Sequence, residues 1–204
     1  TFIITFFSIL LLVIVSSFAA WAMVRSKTIL SNIVFLCFTA AMLVPFQSLM
    51  YPLLSVFEKM GLKNVQGLIL MYGGFGLSMS VFLYHGFIKS VPASLEEAAV
   101  LDGANLFQMF FKVVFPLLKG TTVTVIVLNG MWIWNDYLLP YLVLDIRKWK
   151  TIPIAIQYLK GGYGSIDWGA MMAMLVLAIL PIIIFYGICQ KYIIEGVVAG
   201  AVKG

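Results

Sequence analysis

Long apolar stretches alternate with short polar segments along the whole chain. An α-helix needs about 20 predominantly apolar residues to cross the hydrocarbon core of a bilayer. Stretches of this kind cover approximately residues 1–24, 31–56, 67–88, 120–144 and 168–190. The pattern therefore predicts an all-α fold, a multi-pass bundle of five transmembrane helices that forms a single domain over residues 1–204.

Prolines and glycines mark particular points within these spans. Pro45 and Pro52 fall in the second span, where each removes a backbone N–H and a kink is expected. Glycines, whose missing side chains let neighbouring helices approach closely, are frequent in the third span; they are Gly67, Gly73, Gly74 and Gly76. We therefore expect a bent second span and a third span in close contact with its neighbours.

The composition indicates an integral membrane protein. Of the 204 residues, 63% are hydrophobic and only 10% are charged, whereas a soluble domain is about half apolar and a quarter charged. The net charge of +5 is scattered along the chain and forms no basic run, so nucleic acid is not an expected partner. Lysines and arginines divide almost evenly between the two predicted membrane faces, and their distribution therefore does not orient the chain.

Patterns that would indicate catalysis or metal binding are missing from the sequence. It contains no G-x4-G-K-[ST] phosphate-binding loop, no H-E-x-x-H and no G-x-S-x-G segment. Cys37 and Cys189 lie in apolar runs without metal-type spacing, and His85 is the only histidine. We therefore predict no catalytic residues, no cofactor and no metal in this chain.

The longest polar interruption, residues 89–119, predicts a helix outside the membrane. Ser94 and Glu97 form an S-x-x-E pattern, which indicates a capping box with Ser94 as the N-cap and Leu95 as the first helical residue. The carboxylates of Glu96 and Glu97 suit the positive end of the helix dipole. A short helix is therefore expected between the third and fourth spans.

This helix is expected to be about two turns long, because Gly103 follows Asp102 and a glycine just past a helix is the usual stop. Asn105 is expected to cap a second helix. Helices this short are marginal in water, so the first one needs a partner. A narrow face of mostly small side chains, suited to a groove on another protein, is formed by Leu95, Ala98, Ala99 and Asp102. An amphipathic connector lying on the membrane is the alternative.

The same loop resembles the EAA loop of ABC importer permeases, whose pattern is E-A-A-x3-G-x9-I-x-L-P. Glu97-Ala98-Ala99 is followed by Gly103, and Val113 and Phe115-Pro116 occupy the positions of I and L-P. The segments AAVLDGAN, WNDYLLP and GVVAGAVKG are similar to the carbohydrate-uptake branch of these permeases. The resemblance extends over essentially the whole chain and is greatest to the smaller membrane subunit of maltose-type importers.

The resemblance implies a fold and a set of partners. Such type I permeases have a five-helix core, usually preceded by one further helix, and we expect that helix to be missing before Thr1. They lie in the cytoplasmic membrane and work with a homologous second permease, a cytoplasmic ATPase dimer and an extracytoplasmic sugar-binding protein. The resemblance therefore places loop 89–119 in the cytoplasm and loop 145–167 outside, and it makes a sugar the expected substrate.

Residue roles also follow from the resemblance. The helix of the EAA loop is the coupling helix, which docks in a cleft of the ATPase and transmits its movement to the spans. The residues implied in this contact are Glu96, Glu97, Ala98, Ala99, Asp102 and Gly103. Tail residues 200–204 are also implied to touch the ATPase. Loop residues 148–168 are expected to help to seat the binding protein, or alternatively to lie on lipid.

Polar residues within the predicted spans are candidates for the sugar path. Trp134, Asn135 and Asp136 lie toward the outer part of the fourth span, and ionisable groups at membrane depth usually face a cavity or pathway. Alternatively, Asp136 and Trp134 mark the outer water interface. Gln47 and Asn129 are further candidates, with hydrogen bonding between helices as the alternative role.

Two other classes of function remain open. An ion-coupled secondary transporter or channel needs carboxylates or histidines buried within its spans, and Asp136 is the sole candidate in this sequence. A membrane-embedded enzyme needs a cluster of catalytic residues, which the sequence does not contain. We therefore expect the permease subunit of an ATP-driven sugar importer.

Overall fold

The computed structural model describes residues 1–159 and 167–201, with side chains as far as Gln190. Over these residues the regular structure is entirely helical, which confirms the all-α prediction. The α-helices are α1 (Phe2–Ser26), α2 (Ile29–Ala41), α3 (Phe46–Lys59), α4 (Val65–Ile88), α5 (Ser94–Leu101), α6 (Leu106–Met109), α7 (Phe115–Leu117), α8 (Lys119–Asn135), α9 (Leu138–Val143), α10 (Ile152–Tyr158) and α11 (Trp168–Ala201). A π-helical turn, Phe110–Val114, connects α6 to α7.

Three of the described helices are long and apolar enough to cross a membrane unaided: α1, α4 and the Trp168–Gln190 part of α11. Two bent pairs also qualify if each pair counts as one span. In the first, α2 and α3 meet at 107°, and in the second, Leu106–Leu117 and α8 meet at 77°. The described residues therefore contain three straight spans and up to five spans in all.

The predicted bend in the second span lies at Pro45. α2 ends at Ala41, and Pro45 is the N-cap residue of α3 with extended backbone dihedrals. A proline disfavours helical dihedrals in the residue before it, which explains why the two helices do not merge. Pro52, by contrast, lies inside α3.

The fourth span is interrupted where the sequence predicted one continuous stretch over residues 120–144. α8 ends at Asn135, and Asp136 has extended backbone dihedrals (φ −71°, ψ 127°). The Asp136 Oδ1 atom accepts a hydrogen bond from the Leu138 backbone N–H at 2.9 Å. A carboxylate bonded to the backbone two residues ahead is a typical Asx turn, and here it starts the separate helix α9.

α1 and α4 pack along almost their whole lengths and form the centre of the bundle. The buried positions of α1 recur every three or four residues, as expected for one face of a helix: Ile4, Thr5, Ser8, Leu12, Val13, Ser16, Ser17, Ala20 and Trp21. The opposing face of α4 carries Gly73 and Gly76, and a Cβ at either glycine would lie within 3 Å of a leucine side chain of α1. The prediction of close contact around the third span is therefore confirmed at Gly73 and Gly76. It is wrong at Gly74, where a Cβ would meet nothing within 4 Å, and at Gly67, where the near atoms belong to Leu62 in the segment before α4 and not to another helix.

A line of polar contacts, which we call the α4–α8 seam, joins α4 to the fourth span. Its residues on α4 are Tyr72, Ser80 and Tyr84, at intervals of eight and four. Its residues on the fourth span are Thr122, Asn129 and Asp136, at intervals of seven, so each set lies along one side of its span. From one end to the other, the pairs are Tyr72 Oη to Asp136 Oδ2 (2.9 Å), Asn129 Nδ2 to Ser80 Oγ (3.1 Å) and Tyr84 Oη to Thr122 Oγ1 (2.9 Å).

The two long loops lie at opposite ends of this bundle. The Thr1 Oγ1 atom accepts a hydrogen bond from the Ile152 N–H at 2.7 Å, so the segment between α9 and α11 lies at what we call the Thr1 end. Arg25 donates to the Val91 carbonyl at 3.0 Å, so the segment between α4 and α8 lies at the Ser26 end. The two loops therefore lie at opposite ends of the bundle. This is expected, because a single membrane span separates them in the chain.

Candidate functional site

Helix α5, in the loop between α4 and α8, begins one residue earlier than the capping-box pattern predicted. Ala93 is its N-cap residue and already has helical dihedrals, and no side-chain hydrogen bond caps the helix. The backbone N–H groups of Glu96 and Glu97 donate to the Ala93 carbonyl at 2.9 and 3.0 Å. Ser94 therefore lies in the first turn and lacks the extended dihedrals that an N-cap side chain needs. The predicted capping box with Glu97 is wrong.

The end of α5 matches the prediction. Gly103 has a φ of +80°, a left-handed conformation that disfavours any residue with a Cβ. The Gly103 N–H donates to Val100 at 3.0 Å and the Ala104 N–H donates to Ala99 at 2.9 Å. These two bonds form a Schellman motif, in which the turn after a helix satisfies its last carbonyl groups.

Asn105 caps α6 as predicted, and the capping box that was expected at α5 is found here. The Asn105 side chain accepts from the Gln108 N–H at 2.9 Å, and the Gln108 side chain accepts from the Asn105 N–H at 3.0 Å. Two capping motifs therefore flank the turn at Gly103: a Schellman motif ends α5 and a capping box begins α6.

Glu96 is the buried member of the acidic pair in α5, with 8% of its surface exposed. Its Oε1 atom accepts from Arg25 Nε at 2.8 Å and lies 2.7 Å from Arg25 Nη2. Its Oε2 atom accepts from Trp21 Nε1 at 3.0 Å. Both partners belong to the last turns of α1, so α5 is held against the Ser26 end of the first span.

The predicted ATPase-contacting residues divide into two groups. Glu96 and Ala99 face the bundle and are buried, which differs from the predicted docking face that included Ala99. Four of the predicted residues are exposed: Glu97, Ala98, Asp102 and Gly103. The burial follows from the anchoring of Glu96 on α1, because Ala99 is three residues further along and lies on the same face of the helix.

The exposed side of α5 also carries large apolar side chains. Leu101 is 88% exposed, and Leu95 and Val100 are also exposed. The exposed surface of α5 is therefore a mixture of apolar residues with the carboxylates of Glu97 and Asp102.

An aromatic cluster supports the loop beneath α5. Phe110, in the π-helical turn, is fully buried, and its ring centroid lies 4.3 Å from that of Phe18 and 5.2 Å from that of Trp21. Phe18 and Trp21 both belong to α1. The loop is thus anchored to the first span by aromatic packing as well as by the ion pair of Glu96.

The predicted path residues do not form one group. Asn129 and Asp136 belong to the α4–α8 seam, and Asn129 is buried. Gln47 is exposed on α3. Trp134 and Asn135 instead line a depression of about 260 Å³ between α8, α10 and α11, together with Tyr137 and Gln157 among other residues. The Trp134 Nε1 atom donates to the Ala178 carbonyl at 3.2 Å, which ties α8 to α11.

The segment predicted to seat a binding protein is described only in part. α10 is anchored by Ile154, which is fully buried, while Trp149 is 55% exposed. Residues 160–166 of this segment lie outside the described residues, as do the side chains of the predicted tail contact at 200–204.

Sequence reasoning did not identify Trp21 and Arg25 as residues of the loop's environment. They lie 75 and 71 residues before Glu96, and no local spacing connects them. The one signal was an arginine directly after an apolar span, which is equally typical of a membrane-surface anchor.

The family of the chain follows from its match over residues 2–198 to the family described as binding-protein-dependent transport system inner membrane component. The chain belongs to this family. It is a multi-pass membrane permease, and the family is one of transport proteins. The match favours the importer over the ion-coupled carrier or channel that the sequence had left open.

Two curated relatives are similar to this permease over most of their lengths. The probable starch degradation products transport system permease protein AmyC of Thermoanaerobacterium thermosulfurigenes is 47% identical over 203 residues, covering 100% of this chain and 74% of the relative. The multiple sugar-binding transport system permease protein MsmG of Streptococcus mutans is 39% identical over 206 residues, covering 98% of this chain and 74% of the relative.

A solved structure has the same fold as this permease. It is the crystal structure of a bacterial ABC transporter involved in the import of the acidic polysaccharide alginate, with a TM-score of 0.77 and 25% sequence identity. The similarity covers 93% of this chain and 71% of the chain in that structure.

Proposed function

We propose that this permease imports a sugar or oligosaccharide, forms half of the translocation path, and is driven by ATPase subunits that dock on α5. The observation that carries the proposal is α5 itself. It is a two-turn helix with an exposed, mixed apolar and acidic surface, and it lies between two spans of a chain from the binding-protein-dependent transport family. An exposed face of this kind, on a short helix whose inner face is already held by α1, is suited to a docking partner.

The proposed partners are a homologous second permease, a cytoplasmic ATPase dimer and an extracytoplasmic binding protein. The Ser26 end, with loop 89–119, faces the cytoplasm in this proposal, and the Thr1 end, with loop 145–167, faces the binding protein. The side chains proposed to meet the ATPase are the exposed ones of the predicted set, Glu97, Ala98 and Asp102, with Gly103 as the turn that orients them.

In the proposed mechanism, α5 carries movement from the ATPase to the spans. ATP binding closes the ATPase dimer and displaces its docking clefts, and α5 follows because its outer face is held there. The bundle then exchanges between inward-open and outward-open arrangements, and hydrolysis resets it. No covalent chemistry takes place in this chain.

A sugar is the proposed substrate because relatives of this chain are described as permeases for starch degradation products, for multiple sugars, and for melibiose, raffinose and stachyose. The depression beside Trp134 suits such a ligand, because aromatic faces pack on the apolar faces of sugar rings and the amides of Asn135 and Gln157 can bond hydroxyl groups. Asn129, Asp136 and Gln47 remain proposed path residues, with Asn129 and Asp136 also serving the α4–α8 seam.

The test is to replace Glu97 by Ala and to purify the complex from native membranes through a tag on this chain. We expect less ATPase to co-purify and less sugar to be taken up. Glu58→Ala is the matched control, because Glu58 is also an exposed carboxylate but lies at the end of α3, away from the 89–119 loop. If Glu97→Ala leaves both quantities at the level of the control, α5 does not couple this permease to an ATPase.

A further inference from the structure

The two adjacent carboxylates of α5 differ in their surroundings. The Glu97 side chain is exposed, whereas both oxygens of Glu96 are engaged by donors from α1. The side chain of Glu96 is 10% exposed and that of Arg25 is 23% exposed, so the pair is largely removed from water. A buried pair of this kind contributes geometry more than net stability, because desolvation offsets much of its attraction.

We propose that Glu96 is a positioning residue that locks the coupling helix to α1, so that movement of α5 reaches the first span directly. This inference rests on the proposed coupling role of α5. It deepens that role by separating the two carboxylates: Glu97 belongs to the docking surface, and Glu96 belongs to the connection between that surface and the bundle.

The arrangement of bonds around Arg25 supports this division. Its guanidinium binds the Glu96 carboxylate and also donates to the Val91 carbonyl at 3.0 Å, just before α5. One side chain of α1 therefore binds both the segment that leads into α5 and Glu96, the third residue of the helix. The Nε and Nη2 atoms of Arg25 both lie against Oε1 of Glu96, while Trp21 Nε1 bonds Oε2, so two side chains of α1 together fix the orientation of the carboxylate.

The connection matters because α1 is not adjacent to the loop in the chain. α4 precedes α5 and α8 comes after it, so both are joined to α5 by the chain itself. The connection to α4 contains the turn at residues 90–93, and the connection to α8 contains the left-handed Gly103. α1 is central to the bundle and packs against both α4 and α8. A helix locked to α1 through Glu96 moves the centre of the bundle. Without the Glu96 contacts, α5 itself is no longer bonded to α1, and only the aromatic packing of Phe110 beneath it still joins the loop to that span.

The rival explanation is that the ion pair only helps the chain to fold. The two explanations differ in what an assembled complex does. Loss of a purely structural contact lowers the amount of complex, while each surviving complex moves as much sugar per ATP as before. Loss of a positioning contact lowers the amount of sugar moved per ATP by complexes that have assembled normally.

The experiment uses the whole complex in proteoliposomes. It measures two quantities, the amount of sugar transported per ATP hydrolysed and the ratio of ATPase to permease in the complex. Glu96→Gln is the main variant, because glutamine has nearly the same shape and keeps an acceptor for Trp21 Nε1 while losing the charge that holds Arg25. We expect at least a fivefold fall in sugar per ATP with the subunit ratio within twofold of wild type. Glu58→Gln, a charge change at an exposed site, should leave both unchanged.

A double-variant cycle tests whether Glu96 acts through Arg25. Arg25→Gln should lower sugar per ATP by a similar factor, and the double variant should be no worse than the poorer single one, because both remove the same connection. The inference is overturned if Glu96→Gln keeps the wild-type ratio of sugar to ATP, if only the yield of complex falls, or if the two effects multiply.

The controls separate this inference from the proposed function. If the wild-type complex shows no ATP-dependent uptake, the proposed function fails and no statement about Glu96 survives. If the wild type couples ATP to uptake and Glu96→Gln does so equally well, the proposed function stands and only the positioning role is wrong.

Discussion

Replacement of Gly76 by alanine should destabilise the bundle where α1, α4 and the fourth span meet. An added Cβ would lie 2.6 Å from Leu12 Cδ1 and 2.6 Å from Asn129 Oδ1, so each atom would have to retreat by about 0.8 Å to reach ordinary contact distance. Leu12 is fully buried. The Asn129 amide is held by bonds to Ser80 and to the Val125 carbonyl. Neither neighbour can move without disturbing a further contact.

The matched control is Gly74→Ala, because Gly74 lies on the same helix and a Cβ there meets nothing within 4 Å. Alanine should stabilise α4 at that position by roughly 0.5–1 kcal/mol, since glycine is the weaker helix former. Alanine contributes this gain in both variants. The difference between their free energies of unfolding therefore measures the cost of overpacking alone. Inserting one extra carbon into a well-packed core typically costs about 1–3 kcal/mol, and this is the expected difference between the two.

The assay is unfolding of the purified permease in detergent micelles, followed by circular dichroism as denaturant is added. Gly76→Ala should unfold at a lower denaturant concentration than Gly74→Ala, with the wild type between them. Equal midpoints for the two variants would refute the reasoning, because they would mean that α1 and the fourth span do not approach α4 as closely as the structure shows.

Substitutions at three further positions test other parts of the fold. Gly67→Ala should greatly reduce the folded protein recovered from membranes, because a Cβ there would overlap the Leu62 carbonyl, and recovery equal to that of Gly74→Ala would contradict this. Tyr72→Phe should lower the free energy of unfolding by about 0.5–1.5 kcal/mol through loss of one seam hydrogen bond, measured by the same titration. Asn105→Ala should lower the free energy of unfolding by about 1 kcal/mol through loss of the α6 cap. Asn105→Asp should keep most of the wild-type value, because aspartate is also a good N-cap residue.

Features that depend on neighbouring residues in the chain could be predicted from the sequence. The apolar stretches predicted the three straight spans, α1, α4 and the Trp168–Gln190 part of α11, because the length of a span is set by the thickness of the bilayer. Pro45 predicted the bend between α2 and α3, and Gly103 predicted the end of α5, because each residue restricts or permits particular backbone dihedrals locally.

Features that depend on distant contacts could not be predicted in this way. The S-x-x-E pattern at Ser94 indicated a cap, but Ala93 enters the helix first and Glu96 is drawn inward by Arg25 and Trp21. Similarly, Asp136 breaks the fourth span because its carboxylate bonds the Leu138 N–H, which an apolar pattern does not reveal.

The most direct test of the central claim is a cross-link from the exposed tip of α5. A photoreactive amino acid at Leu101, which is 88% exposed, would be activated in native membranes and the adduct identified by mass spectrometry. The account predicts an adduct with an ATPase subunit that changes in yield when ATP is added. An adduct with an extracytoplasmic protein, or efficient labelling of Leu101→Cys by a membrane-impermeant thiol reagent from outside intact cells, would contradict it.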